Sequence, residues 1–322
     1  MKLINALGIV AVPATVPSGN LLWVDAVSGN DSLARRGCLT VPFKTLSKAK
    51  DAAASGDTII VMPGTYNEND LLRDGINWHF LPGAIVSYTG STAIFNTGST
   101  IQSLVTGWGR FNTGSTAPVI NFSNSGSNLT VEALSLSSAS GACVRSTAGS
   151  GMLSVRARES ILSSSEDAIY VSGAEVFIEA RKVSTSGGHG LYVSGGQVFL
   201  KAHTILASTD TAIHVGAGLI TVSAILIRSE THIGVSHDGS TTELTILGAK
   251  IVSDLDSAVI SSGSSNKLKL ANCVLVAGSG PCAEALSPDT RVHFLNGVAG
   301  NVDISSNIIP VGGDVYHDSA IS

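Results

Sequence analysis

Three consecutive segments of this chain, residues 167–188 (DAIYVSGAEVFIEARKVSTSGG), 189–210 (HGLYVSGGQVFLKAHTILASTD) and 211–232 (TAIHVGAGLITVSAILIRSETH), superpose without a gap at an offset of 22 residues. Self-similarity at such a period marks a solenoid, in which each repeat packs only on its neighbours. Read down the columns, Ile169, Leu191 and Ile213 coincide, as do Val171, Val193 and Val215, then Val176, Val198 and Ile220. Ala180, Ala202 and Ala224 follow, and then Val183, Ile205 and Ile227.

Within a unit, apolar and polar residues alternate over stretches of four to six residues, which is the period of a strand and not of a helix. The stretches are β-branched and are separated by Ser-Gly, Gly-Gly or Ser-Thr, which turn the chain at little steric cost. Equivalent residues recur in the same chain direction, so neighbouring strands run parallel, about 4.8 Å apart. This geometry predicts a parallel β-helix with three strands per coil. Looser coils flank the core: Leu244, Ile246 and Ile251 are answered 24 residues later by Leu268, Leu270 and Leu275. Segments beginning near Ala93, Ala117 and Gly141 fit a similar spacing. The expectation is an all-β, single-stranded parallel β-helix of roughly ten coils of 22–26 residues, a prism about 45 Å long.

The chain divides by this reading into an apolar N-terminal arm (residues 1–20), a cap with a short helix (21–56), the β-helix (57–305) and a C-terminal tail (306–322). The helix is expected just after Pro42, with Leu46, Ala49 and Ala53 on one stripe and Gly56 as its stop. A stripe this narrow suits a plug over one end of a stack, where an open coil would otherwise expose unpaired backbone. The arm has one lysine followed by mostly apolar residues. Val12-Pro-Ala14 is a weak match to a signal-peptide cleavage site, and the preferred reading is an arm that docks on a scaffold.

Charged residues make up 13% of the chain, against roughly 25% in ordinary globular proteins. With 19 basic and 24 acidic residues there is no basic excess to neutralise phosphates, which argues against a nucleic-acid partner. No apolar run is long enough to insert in a membrane. Cys38, Cys143, Cys273 and Cys282 lack metal-ligand spacing and are expected as free, buried thiols. Neither a metal nor a cofactor signature is present. Asp25, Asp31, Asp254 and Asp256 are expected to serve loops, and the scattered histidines carry no HExxH spacing.

The order VDAVSGND, PFKTL and AAASGDTIIVMPGTYNE, within residues 21–68, resembles the N-terminal cap of right-handed parallel β-helix proteins in the pectin lyase-like superfamily. That resemblance implies a right-handed coil. It is silent on function, since the same cap precedes polysaccharide lyases, glycosidases, secreted bacterial proteins and phage spikes and fibres. Within the repeats, Glu166-Asp167 and Gly188-His189-Gly190 resemble the Asp-Asp and Gly-His-Gly motifs of polygalacturonases. A carboxylate pair protonating a glycosidic oxygen and activating water is what glycoside hydrolysis requires. The Asn-Thr-Asp of the preceding coil is missing, however, and residues 138–146 read SASGACVRS. Asp167, His189 and Thr211 are therefore expected in a corner column where polar residues cap a turn.

Alternation leaves Tyr170, Phe177, Tyr192 and Phe199 pointing outward, as contacts to sister subunits or as a platform for sugar rings. Taken together, these features suggest a non-catalytic virion structural protein: a capsid decoration, head spike, or short tail fibre or spike, held by its arm to other virion proteins. Its partners on this view are itself, as a homotrimer, and a host-surface glycan. A diverged polysaccharide-degrading hydrolase or lyase, or a secreted surface-binding protein, is the alternative.

Overall fold

The computed structural model describes residues 19–285 except 39, 240–241, 264 and 280–281, together with the backbone of strands 291–295, 308–310 and 314–317. The arm at residues 3–16 lies outside the described residues. What is described is mostly strand, a parallel β-solenoid of about nine turns with a single short helix.

Three rows of parallel strands make the walls. The longest starts at Leu21–Val24 and passes through Thr58–Val61, Asn77–Phe80 and Gln102–Gly107. The other two are seeded by Gly64–Tyr66 and by Phe95–Asn96. In the middle turns the rows are continuous around the corners, so that Ile169–Thr185, Leu191–Ala207 and Ile213–Ser229 each contribute to all three walls. The 22-residue offset is realised residue by residue: Ile169 pairs with Leu191 and Leu191 with Ile213, while Val193 lies between Val171 and Val215. The 24-residue offset is likewise real, with Leu244 on Leu268, Ile246 on Leu270 and Ile251 on Leu275. The ladder reaches beyond residues 57–305 at both ends, beginning with Leu21 on Thr58 and continuing to Asp314–His317.

Inward columns fill the prism. Val171, Val193, Val215, Val176, Val198 and Ile220 are all fully buried. Nearer the cap the filling turns aromatic, with Phe80, Phe95 and Phe111 in edge-on contact at 4.8 Å and Trp78 beside Phe80. The helix runs from Leu46 to Ala52, starting later than the sequence suggests because Phe43 is taken up by a parallel bridge to Val24. Thr45 caps it, and both Glu68 oxygens accept its first amides, Leu46 N at 2.7 Å and Ser47 N at 2.6 Å. A carboxylate there satisfies donors that have no partner inside the helix. Cys143, Cys273 and Cys282 are buried free thiols as expected; Cys38 is half-exposed, because it sits in the loop of the cap and not in a wall.

The interior also holds a buried imidazole. His237 continues the Val215 column and is fully buried, its Nε2 against Thr242 Oγ1 and its Nδ1 3.3 Å from Ser261 Oγ. Thr242 in turn donates to Asn266 Oδ1 at 2.9 Å, so its oxygen accepts from a neutral imidazole protonated on Nε2. Burial pushes this histidine from 6.5 down to about 4, with the charge of Asp238 only partly opposing.

Two predictions follow from this interior. Val193→Asp places an unpaired carboxylate in a dry column, and a loss of several kcal/mol is expected in chemical denaturation. For His237 the folded-state pKa lies below the unfolded one, so its stabilising contribution is complete above about pH 6.5 and is lost as pH falls towards 4. The loss is on the order of 3 kcal/mol. Thermal melts between these pH values should show the acid drop in the parent and a flatter profile in His237→Gln.

Candidate functional site

The corner that carries Asp167 is built from inside by a column of buried hydroxyls, Ser138, Ser163, Thr185, Ser229 and Ser253, interrupted by Ala207 between Thr185 and Ser229. Each ties down the corner loop next to it. Thr185 Oγ1 donates to Glu166 O at 2.5 Å and accepts from Gly188 N at 3.2 Å; Ser229 Oγ donates to Asp210 O at 2.7 Å and accepts from His232 N at 3.0 Å. Ser163 and Ser253 repeat the pattern. Short hydroxyl side chains pointing inward at the end of a strand are the sequence signal for this device.

On this frame Asp167 and His189 come together as their 22-residue spacing suggests. Asp167 Oδ1 accepts both the His189 backbone N–H and Nδ1, each at 2.8 Å. His189 Nε2 faces Asp210 Oδ1 at 3.4 Å, and Asp210 itself accepts from Thr211 N at 2.7 Å. Asp210 closes the second repeat and was not singled out by motif, because it belongs to the coil after the one that the polygalacturonase pattern would use. Glu166 does not join. Its side chain is exposed, and its contacts are made by its backbone. Thr211 is buried at the corner.

The outward aromatics form two separate stacks on two walls, and not one patch. On the first wall Tyr170 and Tyr192 lie ring on ring at 5.4 Å and 8°, and Tyr192 and His214 at 5.0 Å and 13°, with Arg145 over the far face of Tyr170 at 5.7 Å. His214 Nε2 reaches Asp238 Oδ1 at 3.3 Å. Burial holds His214 below the ordinary histidine range, although Asp238 opposes this, and burial raises Tyr192 above the usual phenol. On the next wall Phe177 and Phe199 stack at 5.0 Å and 7°. Phe199 is 36% exposed.

Two neighbouring grooves open on this side, the first beside the phenylalanines. One, of about 490 Å³, is lined by Thr130, Glu132, Ser154, Arg156, Phe177, Phe199, Thr221 and Ser223 among others. The second, of about 500 Å³, lies towards the neighbouring corner, where Arg158 stacks on the half-exposed Trp108 at 4.3 Å beside Arg181 and His203. Asp167, His189 and Asp210 line neither.

The remaining acids serve turns or pairs. Asp25 accepts from Val27 N and Ser28 N, Asp31 from Lys44 N and Thr45 N, and Asp256 from Ser257 N. Asp254 is paired with Arg228 at 2.6 Å. Among the described residues no three His, Cys, Asp or Glu are grouped so as to hold a metal ion.

A family model for a protein of unknown function, DUF1565, matches residues 27–277. No curated protein and no solved structure matches the chain.

The Asp167 carboxylate accepts two bonds from the next coil, whereas Glu166 contributes only backbone. Asp167→Ala is therefore expected to cost about 1–3 kcal/mol in urea denaturation, and Glu166→Ala less than about 0.5 kcal/mol. Equal effects would mean that the corner is not held in this way.

Proposed function

Because the chain belongs to the DUF1565 family, whose function is unknown, we propose its role from its own surface: a non-catalytic structural protein of a virion exterior, a capsid decoration, head spike or short tail fibre that adheres to host-surface glycan. The observation that carries this reading is the employment of the Asp167–His189–Asp210 cluster. One Asp167 oxygen is occupied by two N–H groups that fix the next coil, and the cluster stands away from both grooves. A hydrolase needs a carboxyl free to protonate a leaving oxygen and a second with room for water. Here the acids hold a wall together. A rod stiffened along its whole length by parallel pairing suits a protein that projects and bears load.

In this proposal the N-terminal arm docks on other virion proteins, and the Tyr170–Tyr192–His214 wall faces sister subunits in a homotrimer. Flat, half-buried rings beside alternating imidazole and carboxylate groups make a surface able to pack on copies of itself under cyclic symmetry. A second reading, a diverged polysaccharide-degrading enzyme, has one observation in its favour: Asp210 supplies a second carboxylate to His189, which the polygalacturonase-like motifs alone lack.

The two readings part in one set of measurements. Incubated with polygalacturonan, the protein should release neither reducing ends nor unsaturated product; turnover that vanishes in Asp167→Asn would establish the enzyme instead. Light scattering at micromolar concentration should give a trimeric mass that falls in Tyr170→Ser/Tyr192→Ser and survives deletion of residues 1–20. A monomer unaffected by either change removes the assembly claim.

A further inference from the structure

The stacking of Phe177 on Phe199 determines what their wall can bind. Rings 5.0 Å apart and nearly parallel cover each other's inner faces, so each keeps one free face, and the two free faces point in opposite directions along the rod. The neighbours in this column are small. Ser154 lies one coil below Phe177 and Thr221 one coil above Phe199. Thr130 extends the low floor beneath Ser154 until Leu104 closes it. The groove along this wall is thus one cavity with a notch at each end of the ring pair, where a phenylalanine face stands next to a hydroxyl side chain, Ser154 at one end and Thr221 at the other.

Charge selects among occupants. The adjacent column reads Glu132, Arg156, Glu179 and Lys201 on four successive coils, alternating in sign. Arg156 and Lys201 both approach Glu179, at 3.4 and 3.5 Å. The strip beside the notches is therefore neutral in sum while offering both donors and acceptors. A polyanion finds no net attraction there. The core of a protein interface would require an apolar floor and few charges, and the floor here is Thr and Ser. A flat ring with an apolar face and a rim of hydroxyls matches every part: its C–H face on phenylalanine, its hydroxyls on the floor and on the alternating carboxylates and cations.

We propose that the two ends of the Phe177–Phe199 stack are subsites for neutral hexopyranose units of a polysaccharide, one ring per notch. This rests on the reading of the protein as a glycan adhesin and supplies the class of sugar and its place. The strip's charges cancel in sum, so the site offers a uronate polymer no net attraction.

Binding of neutral hexaoses of glucose, galactose and mannose, with hexagalacturonate as the acidic counterpart, tests it by titration calorimetry and saturation-transfer NMR on the full chain. At least one neutral hexaose should bind at millimolar concentration or below and more tightly than hexagalacturonate. Phe177→Ala should weaken it by about tenfold or more. Ser154→Tyr/Thr221→Tyr is the decisive variant, because it extends an aromatic column that the wall already tolerates and fills both notches without removing a ring. Loss of binding with an unchanged melting temperature supports the proposal. Retained affinity in that variant, tighter binding of hexagalacturonate, or no binding of any neutral hexaose overturns it. Retained affinity would leave glycan adhesion standing at another surface, whereas turnover of polygalacturonan would remove the adhesin reading itself.

Discussion

Every feature of this protein depends on one constraint: parallel pairing of each turn with the next, one strand spacing away, in a fixed register. Parallel strands cannot be joined by tight hairpins, so the chain must travel around a closed path before it pairs with itself. Once the register is set, each inward residue sits on its equivalent. A valine column such as Val171, Val193 and Val215 buries its methyl groups against the same kind of side chain above and below. The same constraint acts on polar residues. His237 is tolerated in the Val215 column only because Thr242, Ser261 and Asn266 are brought to it by the neighbouring loops and coils.

The register also explains why resemblance to an enzyme motif does not amount to a catalytic site. Stacking places Asp167 beneath His189 as the motif requires, and that carboxylate then accepts the backbone N–H of His189 as well as its Nδ1. A polar residue at the corner of a solenoid is drawn first into satisfying backbone groups that the turn leaves without strand partners. The hydroxyl column from Ser138 to Ser253 does the same work from inside the wall. Chemistry at such a corner needs acids beyond those that the turn consumes.

Outward side chains follow a different logic. Residues repeated at the same position form ladders, and ladders of rings cover their own faces. The tyrosines end on an arginine at one side and on a histidine at the other, so that both free faces of the pair are occupied. The phenylalanines end on serine and threonine, which leaves their free faces open. Two pairs alike in sequence are therefore unlike as surfaces.

The solenoid, its strand direction, the interior columns and the capping helix are legible in the residues alone, because a 22-residue repeat with period-two alternation admits one way of burying its apolar side chains. Leu46, Ala49 and Ala53 were legible as a stripe for the same reason. The contacts that the folded chain adds lie across coils and corners. Asp210 meets His189 because one full turn of the solenoid brings the last residue of their repeat back over its first, a proximity that the polygalacturonase-like motifs do not encode. Glu166 turns outward while its neighbour turns in, and the four aromatics divide between two walls because the chain bends between Val171 and Glu175, where Ala174 adopts a left-handed φ of 65°. Periodicity fixes which residues stack. The angle of each corner, which periodicity does not contain, fixes which stacks share a face.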